Sequence, residues 1–130
     1  MGAGRPRPVV LDAGALIAFE RNDRRVRTLI ELALAHGAVL HAPAGVVGQV
    51  WRDGRRQARL ARLLASGGIQ VHALDREEAQ TAGVLCGQSK TADVIDASVV
   101  LLARRHAAKV VTSDAGDLKR IDPSIAVVPC

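Results

Sequence analysis

Short apolar runs alternate with longer mixed stretches along this chain. Residues 8–11 (PVVL) are a brief, β-branched run of strand character. Residues 13–20 have helical content, weakened by Gly14. Asn22 or Asp23 is placed to cap a second helix that carries Leu29, Ile30, Leu32, Ala33 and Leu34 as far as His36, where Gly37 stops it. Residues 38–42 (AVLHA) predict a second strand ended by Pro43, and residues 46–65 predict one long helix closed by Gly67-Gly68. Residues 69–74 (IQVHAL) alternate as a strand does. Asp75 with Glu78 three positions on resembles a capping box for a helix to about Gly87. Thr91 is placed to cap a helix over residues 93–107, followed by a strand at 109–113 (KVVTS), a short helix at 117–121 and a last strand at 125–128 (IAVV).

Short apolar strands alternating with helices specify an α/β fold, with a parallel sheet covered by helices on both faces. No repeat, low-complexity tract or linker divides the 130 residues, which predict a single domain over 1–130 with residues 1–7 as a basic, Gly/Pro-rich, disordered lead-in. In such sheets ligands bind outside the carboxyl ends of the strands, so those ends are the positions to inspect.

Asp12 directly follows the first strand, and Asp114 directly follows KVVTS. Both fall on that edge. Asp93 and Asp96 are three apart near a helix start, which places them on one face, near the positive end of the helix dipole. Asp117 lies three residues past Asp114 and is within reach of the same edge. Each acid also has a purely structural reading. Asp12 and Asp117 are placed to cap helices, Asp114 to cap one or to sit in a turn, and Asp93 falls in the first turn of a helix, where Asp is ordinary. Asp96 is the hardest to explain that way, because the ASVVLLA that follows it is apolar and an unpaired Asp there is costly. Carboxylates brought together repel one another unless protonated or bridged by a cation, and an all-oxygen donor set suits Mg²⁺ or Mn²⁺.

Composition changes this picture in two ways. Aromatic residues are only 2% against 48% hydrophobic overall, so the core is Ala, Val, Leu and Ile, with Phe19 in it and Trp51 either in it or at a dimer interface. A net charge of +5 favours a polyanionic partner, either nucleic acid or an acidic protein. On the predicted helix over 46–65, Arg52, Arg55, Arg56, Arg59 and Arg62 fall within an arc of about 120°. That arc is either a solvated face or a contact for RNA phosphates or an acidic stretch of a partner.

Other chemistries lack their motifs. No G-x-S-x-G occurs, Gly2-Ala3-Gly4 precedes the first strand instead of following it, and Asp12-Ala13-Gly14 is not the D-x-D of phosphoryl-transfer sites. His36, His41, His72 and His106 show no ligand spacing and read as structural or surface groups. Cys86 and Cys130 match no zinc pattern and read as free thiols of a reducing compartment. No stretch approaches the roughly 18 apolar residues of a membrane span, and the expected location is the cytoplasm.

The residues that carry the acidic constellation also carry a family resemblance. LDAGALIA at 11–18, DVIDASVVLLA at 93–103 and VVTSDAGDL at 110–118 resemble, in order and spacing, the acid-bearing motifs of PIN domains, and in particular the VapC-type toxins of VapBC toxin–antitoxin pairs. The resemblance implies a PIN-like three-layer α/β/α sandwich with a central parallel sheet of about five strands. It implies a catalytic and metal-binding set of Asp12, Asp96 and Asp114, with Asp93 and Asp117 as further ligands and Thr112 and Ser113 as polar groups at the site edge. The activity implied is endoribonuclease cleavage by a metal-activated water with Mg²⁺ or Mn²⁺. The implied partners are RNA, a VapB-type antitoxin whose tail covers the site, and a second copy in a homodimer. One departure stands out. Where PIN domains usually carry a Glu after the second strand, VVGQVWR places Gln49, which brings an oxygen but no charge. The alternative reading is therefore a PIN-like RNA-binding or protein-interaction module with weak or no catalysis. A different α/β enzyme built around Asp12, receiver-like or phosphatase-like, is the reading to revive if the acids fail to converge.

Overall fold

The computed structural model describes residues 6–130; most of the expected lead-in, with Gly2-Ala3-Gly4, lies outside the described residues. Five strands form one sheet: β1 (Val9–Leu11), β2 (Leu40–Pro43), β3 (Ile69–His72), β4 (Lys109–Thr112) and β5 (Val127–Pro129). Seven helices connect them: α1 (Ala13–Glu20), α2 (Arg24–Ala35), α3 (Ala44–Val50), α4 (Ala58–Ala65), α5 (Arg76–Ser89), α6 (Val94–His106) and α7 (Ala115–Ile121). The strand order is β3-β2-β1-β4-β5 and every pairing is parallel. Helices α1 to α4 occupy one side of the sheet and α5 to α7 the other, giving the three-layer α/β/α arrangement.

The chain steps outward from β1 to β3, then returns through α5 and α6 to place β4 on the other side of β1. The direction of winding therefore reverses between β1 and β4, at the centre of the sheet. Val9, Val10 and Leu11 of β1 are buried on both faces, as are Val110 and Val111 of β4, so these two strands read as continuous apolar runs. Val10 pairs with Val110 and Leu11 with Val111, which brings the residues after both strands, Asp12 and Asp114, to the same edge. Phe19 is in the core.

The long helix expected over 46–65 is two helices. Asp53-Gly54 is a turn signal that the helical periodicity overrode: the Asp53 carboxylate accepts from the Arg55 amide, and Gly54 lets the chain pass close to the Trp51 ring. Gln57 holds the break. Its side-chain oxygen accepts from the Arg52 and Asp53 amides at 2.7 and 3.0 Å, and its amide nitrogen donates to the Val50 carbonyl and the Glu20 carboxylate. Arg59 donates to the Glu20 carbonyl, so the loop clasps the end of α1. The expected arginine arc does not exist. Arg52, Arg55 and Arg56 lie in the loop, only Arg59 and Arg62 are on α4, and Arg52 is turned back onto the Gly48 and Trp51 carbonyls. Trp51 is 38% exposed and is not a core residue.

Smaller differences have local causes. Asp93, not Thr91, caps α6, because its carboxylate reaches the Asp96 amide at 2.9 Å. β5 begins at Val127, since Ile125 is spent on a turn to the Asp122 carbonyl. Cys86 and Cys130 are free, and no described helix is long and apolar enough to cross a membrane.

Because the buried Gln57 amide serves four partners, Gln57→Ala strands part of that set without replacement. It is expected to cost about 1–3 kcal/mol. A urea titration checks it; an unchanged midpoint would mean that the loop is held by other contacts.

Candidate active site

Asp12 is held where β1 ends and α1 begins. It is 3% exposed, with one carboxylate oxygen accepting from the Ala13 amide at 2.7 Å and the other from the Thr112 hydroxyl at 2.8 Å. The Thr112 hydroxyl, at the end of β4 and fully buried, also accepts from the Asp114 amide at 2.8 Å. A strand-to-strand clamp thus links the two acids: Asp12, Thr112, then the backbone of Asp114. The Asp12 amide donates to the Val111 carbonyl, which completes the tie between the strand ends. Gly14 belongs to the same construction. A methyl group there would collide with the Ser113 side chain, so the β4–α7 loop sits against α1 only because that residue is glycine.

The acids from α6 and α7 approach the same place. Asp93 and Asp96 open α6 from the loop after α5, and Asp117 is in the first turn of α7. Burial pushes the Asp96 carboxyl up to about 7, reinforced by the charges of Asp93, Asp12, Asp117 and Asp114. Burial likewise raises the Asp12 carboxyl. Its hydrogen bonds from Ala13 and Thr112 oppose that rise, and the charges of Asp114 and Asp93 add to it. Acids from three separate segments therefore sense one another. Asp114 and Ser113 are exposed at the rim. Asp114 stands at the start of α7 but makes no side-chain cap bond, so its carboxylate is not consumed by the helix. Asp93 spends one oxygen on its cap, and Asp117 pairs with Arg120 at 3.5 Å.

Beside Asp96 opens a polar cleft lined by Lys90, Thr91, Asp93, Asp117 and Arg120. Lys90 and Arg120 were not singled out by local pattern. Lys90 ends α5 in a left-handed conformation and Arg120 sits in the last turn of α7, and only the tertiary fold places them beside the acids. Gln49 is exposed on α3 and, among the described residues, makes no hydrogen bond to the acids. Its helix does lie close: Gly45, one turn earlier on the same stripe, abuts Ile95, the neighbour of Asp96. Arg52, Arg55, Arg56 and Arg59 are not among the residues lining the cleft.

The donor set around this edge is carboxylate oxygen from three chain segments, and two of its acids, Asp12 and Asp96, are held above their usual range by burial, reinforced by the charges of the neighbouring acids. That chemistry fits a hard divalent cation.

Residues 9–123 match the PIN domain family. The chain belongs to it. Solved structures similar to this PIN domain include VapBC2 from Rickettsia felis bound to a DNA fragment from their promoter, at a TM-score of 0.69 and 14% identity over 94% of this chain and 98% of the other. A toxin–antitoxin complex from Klebsiella pneumoniae gives 0.67 and 16% over 92% and 95%. FitAcB from Neisseria gonorrhoeae gives 0.58 and 17% over 92% and 95%. At these identities the likeness is one of fold. No curated protein matches the sequence significantly.

Electrostatic crowding around Asp96 has a measurable consequence. Its folded carboxyl titrates near 7 against 3.8 unfolded, so the folded state binds the proton more tightly. The Asp96 contribution to the stability of the cation-free protein is therefore fully present below about pH 4, is lost as pH rises through about 7, and is level above that. Asp96→Asn removes the penalty, so the variant melts above wild type at pH 8 and close to it at pH 4 in chelator. Equal melting temperatures at pH 8 would show that the acids do not crowd one another.

Proposed function

We propose that this PIN domain is a divalent-cation-dependent endoribonuclease, the VapC-type toxin of a type II toxin–antitoxin pair acting in the cytoplasm. The observation that carries the proposal is the convergence of Asp12, Asp96 and Asp114 at the reversal of the sheet, with Asp93 and Asp117 beside them. Asp12, Asp96 and Asp114 would hold Mg²⁺ or Mn²⁺, and the free oxygen of Asp93 is the next available donor. When bound, the cation supplies the charge that acidifies a water and offsets the negative charge of a phosphodiester under attack.

The chain's own groups do the rest. Thr112 and the Ala13 amide fix the Asp12 carboxylate in one orientation, so it cannot swing to relieve repulsion. Burial, with the charges of the neighbouring acids, raises the Asp96 carboxyl to about 7, so a cation held there would displace its proton. Lys90 and Arg120 line the cleft and are suited to hold RNA phosphates on either side of the acids. This replaces the arginine arc as the phosphate contact, because the cations now lie beside the chemistry. Ser113 is a further polar group at the rim.

Partners follow from the relatives. The similar structures include complexes of toxins with antitoxins, and a VapB-type antitoxin whose tail covers the acidic edge is the partner we propose here, with a second copy of the chain in a homodimer. Gln49 favours a specific second reading. If the charge it lacks is indispensable, the protein binds RNA without cutting it.

The test is cleavage of total bacterial RNA by the purified protein with Mg²⁺, with Mn²⁺ and with chelator. Discrete fragments that require the cation are expected, with Asp12→Asn and Asp96→Asn each reducing the rate by about 100-fold or more. Lys90→Ala with Arg120→Ala should weaken RNA binding while leaving cation binding intact. Binding without cleavage by folded wild type, restored by Gln49→Glu, would favour the second reading. No binding and no cleavage would overturn both.

A further inference from the structure

Three of the four histidines, which show no ligand spacing in the sequence, meet in the fold. His41 is in β2, His72 ends β3 and His106 ends α6. One ring nitrogen or the other from each lies within 4.8 Å of the rest. His41 Nδ1 and His72 Nε2 share a hydrogen bond of 2.9 Å, and the His41 and His106 rings are stacked with centroids 3.9 Å apart. His106 Nε2 is buried with no hydrogen-bond partner. A buried ring nitrogen without a partner in a cluster of imidazoles is costly unless something completes it. His36 does not take part; it bonds the Leu32 carbonyl.

We propose that His41, His72 and His106 form a second cation site, selective for Zn²⁺ or a similar borderline transition metal, distinct from the acidic edge. Neutral imidazole is a donor for Zn²⁺, Ni²⁺ and Cu²⁺ and a poor one for Mg²⁺. Tetrahedral zinc with bonds near 2.0–2.1 Å sets its ligand nitrogens roughly 3.3 Å apart, so side-chain movements of about 1 Å complete the set. The Glu78 carboxylate lies near enough to His72 to act on it electrostatically and is itself paired with Arg105. Ten residues of α6, roughly 15 Å of helix, separate His106 from Asp96. The bound ion would pin edge strand β3 and its neighbour β2 to the end of α6.

The test is titration with Zn²⁺, and with Co²⁺ as its coloured stand-in, in excess Mg²⁺. One equivalent should bind, give the visible absorption of tetrahedral Co²⁺ and raise Tm by about 5 °C or more at saturation. Asp96→Asn should leave this unchanged. His72→Gln, at the partly exposed end of an edge strand, and His106→Gln should each weaken it at least 10-fold while keeping the wild-type circular dichroism. The proposal is overturned by no binding to folded wild type, by binding that Mg²⁺ or Asp96→Asn abolishes, or by binding that survives both histidine changes. Should His106→Gln fail to fold, His72→Gln alone decides.

Discussion

Asp12 ends β1 with both carboxylate oxygens committed, one to the Ala13 amide and one to the Thr112 hydroxyl, and that hydroxyl in turn receives the Asp114 amide. This clamp depends on β1 and β4 being parallel neighbours in register. The pairing in turn depends on the return of the chain through α5 and α6, which carries Asp93 and Asp96 across the sheet and sets them down over the same edge. A buried carboxylate needs compensation, and here hydrogen bonds supply part of it. The charges of the neighbouring acids, of the same sign, oppose that compensation at both Asp12 and Asp96.

The layers around this centre serve its geometry. α1 approaches the β4–α7 loop closely enough to require Gly14, and α3 approaches α6 closely enough that the Ile95 side chain reaches Gly45. Both glycines lie beside acids or their neighbours. Further out, Gln57 and Arg59 clasp the end of α1, so the helix that follows Asp12 is held at both ends. The basic groups divide accordingly. Arg52 and Arg59 are engaged with backbone carbonyls, whereas Lys90 and Arg120 line the acidic cleft, so net positive charge alone does not say which cations face an anionic ligand.

The histidine cluster lies on the α5–α7 side of the same sheet and shows the converse of the acidic edge. There, donors of one charge are crowded and open to solvent at the rim; here, imidazoles are crowded and partly buried, with a nitrogen left unmatched. The two sets differ in donor softness, and so in the cations they would select.

Much was legible in the sequence itself. Apolar strand runs such as PVVL and KVVT, helix caps at Asp23 and Asp75, and acids directly after two strands are local signals, governed by periodicity and by hydrogen bonds within three or four residues. The α/β class and the acids at strand ends followed from those. The break at residues 51–57 did not, because helical periodicity in the arginines and leucines outweighed a two-residue turn signal, and Gln57 stabilises the break through Glu20, 37 residues away. Nor did the meeting of His41, His72 and His106, or the place of Lys90 and Arg120. Such groups have no spacing to recognise; they become neighbours only when strand order and the side of the sheet taken by each helix are decided, and those are set by burial of the whole core and not by any local stretch of chain.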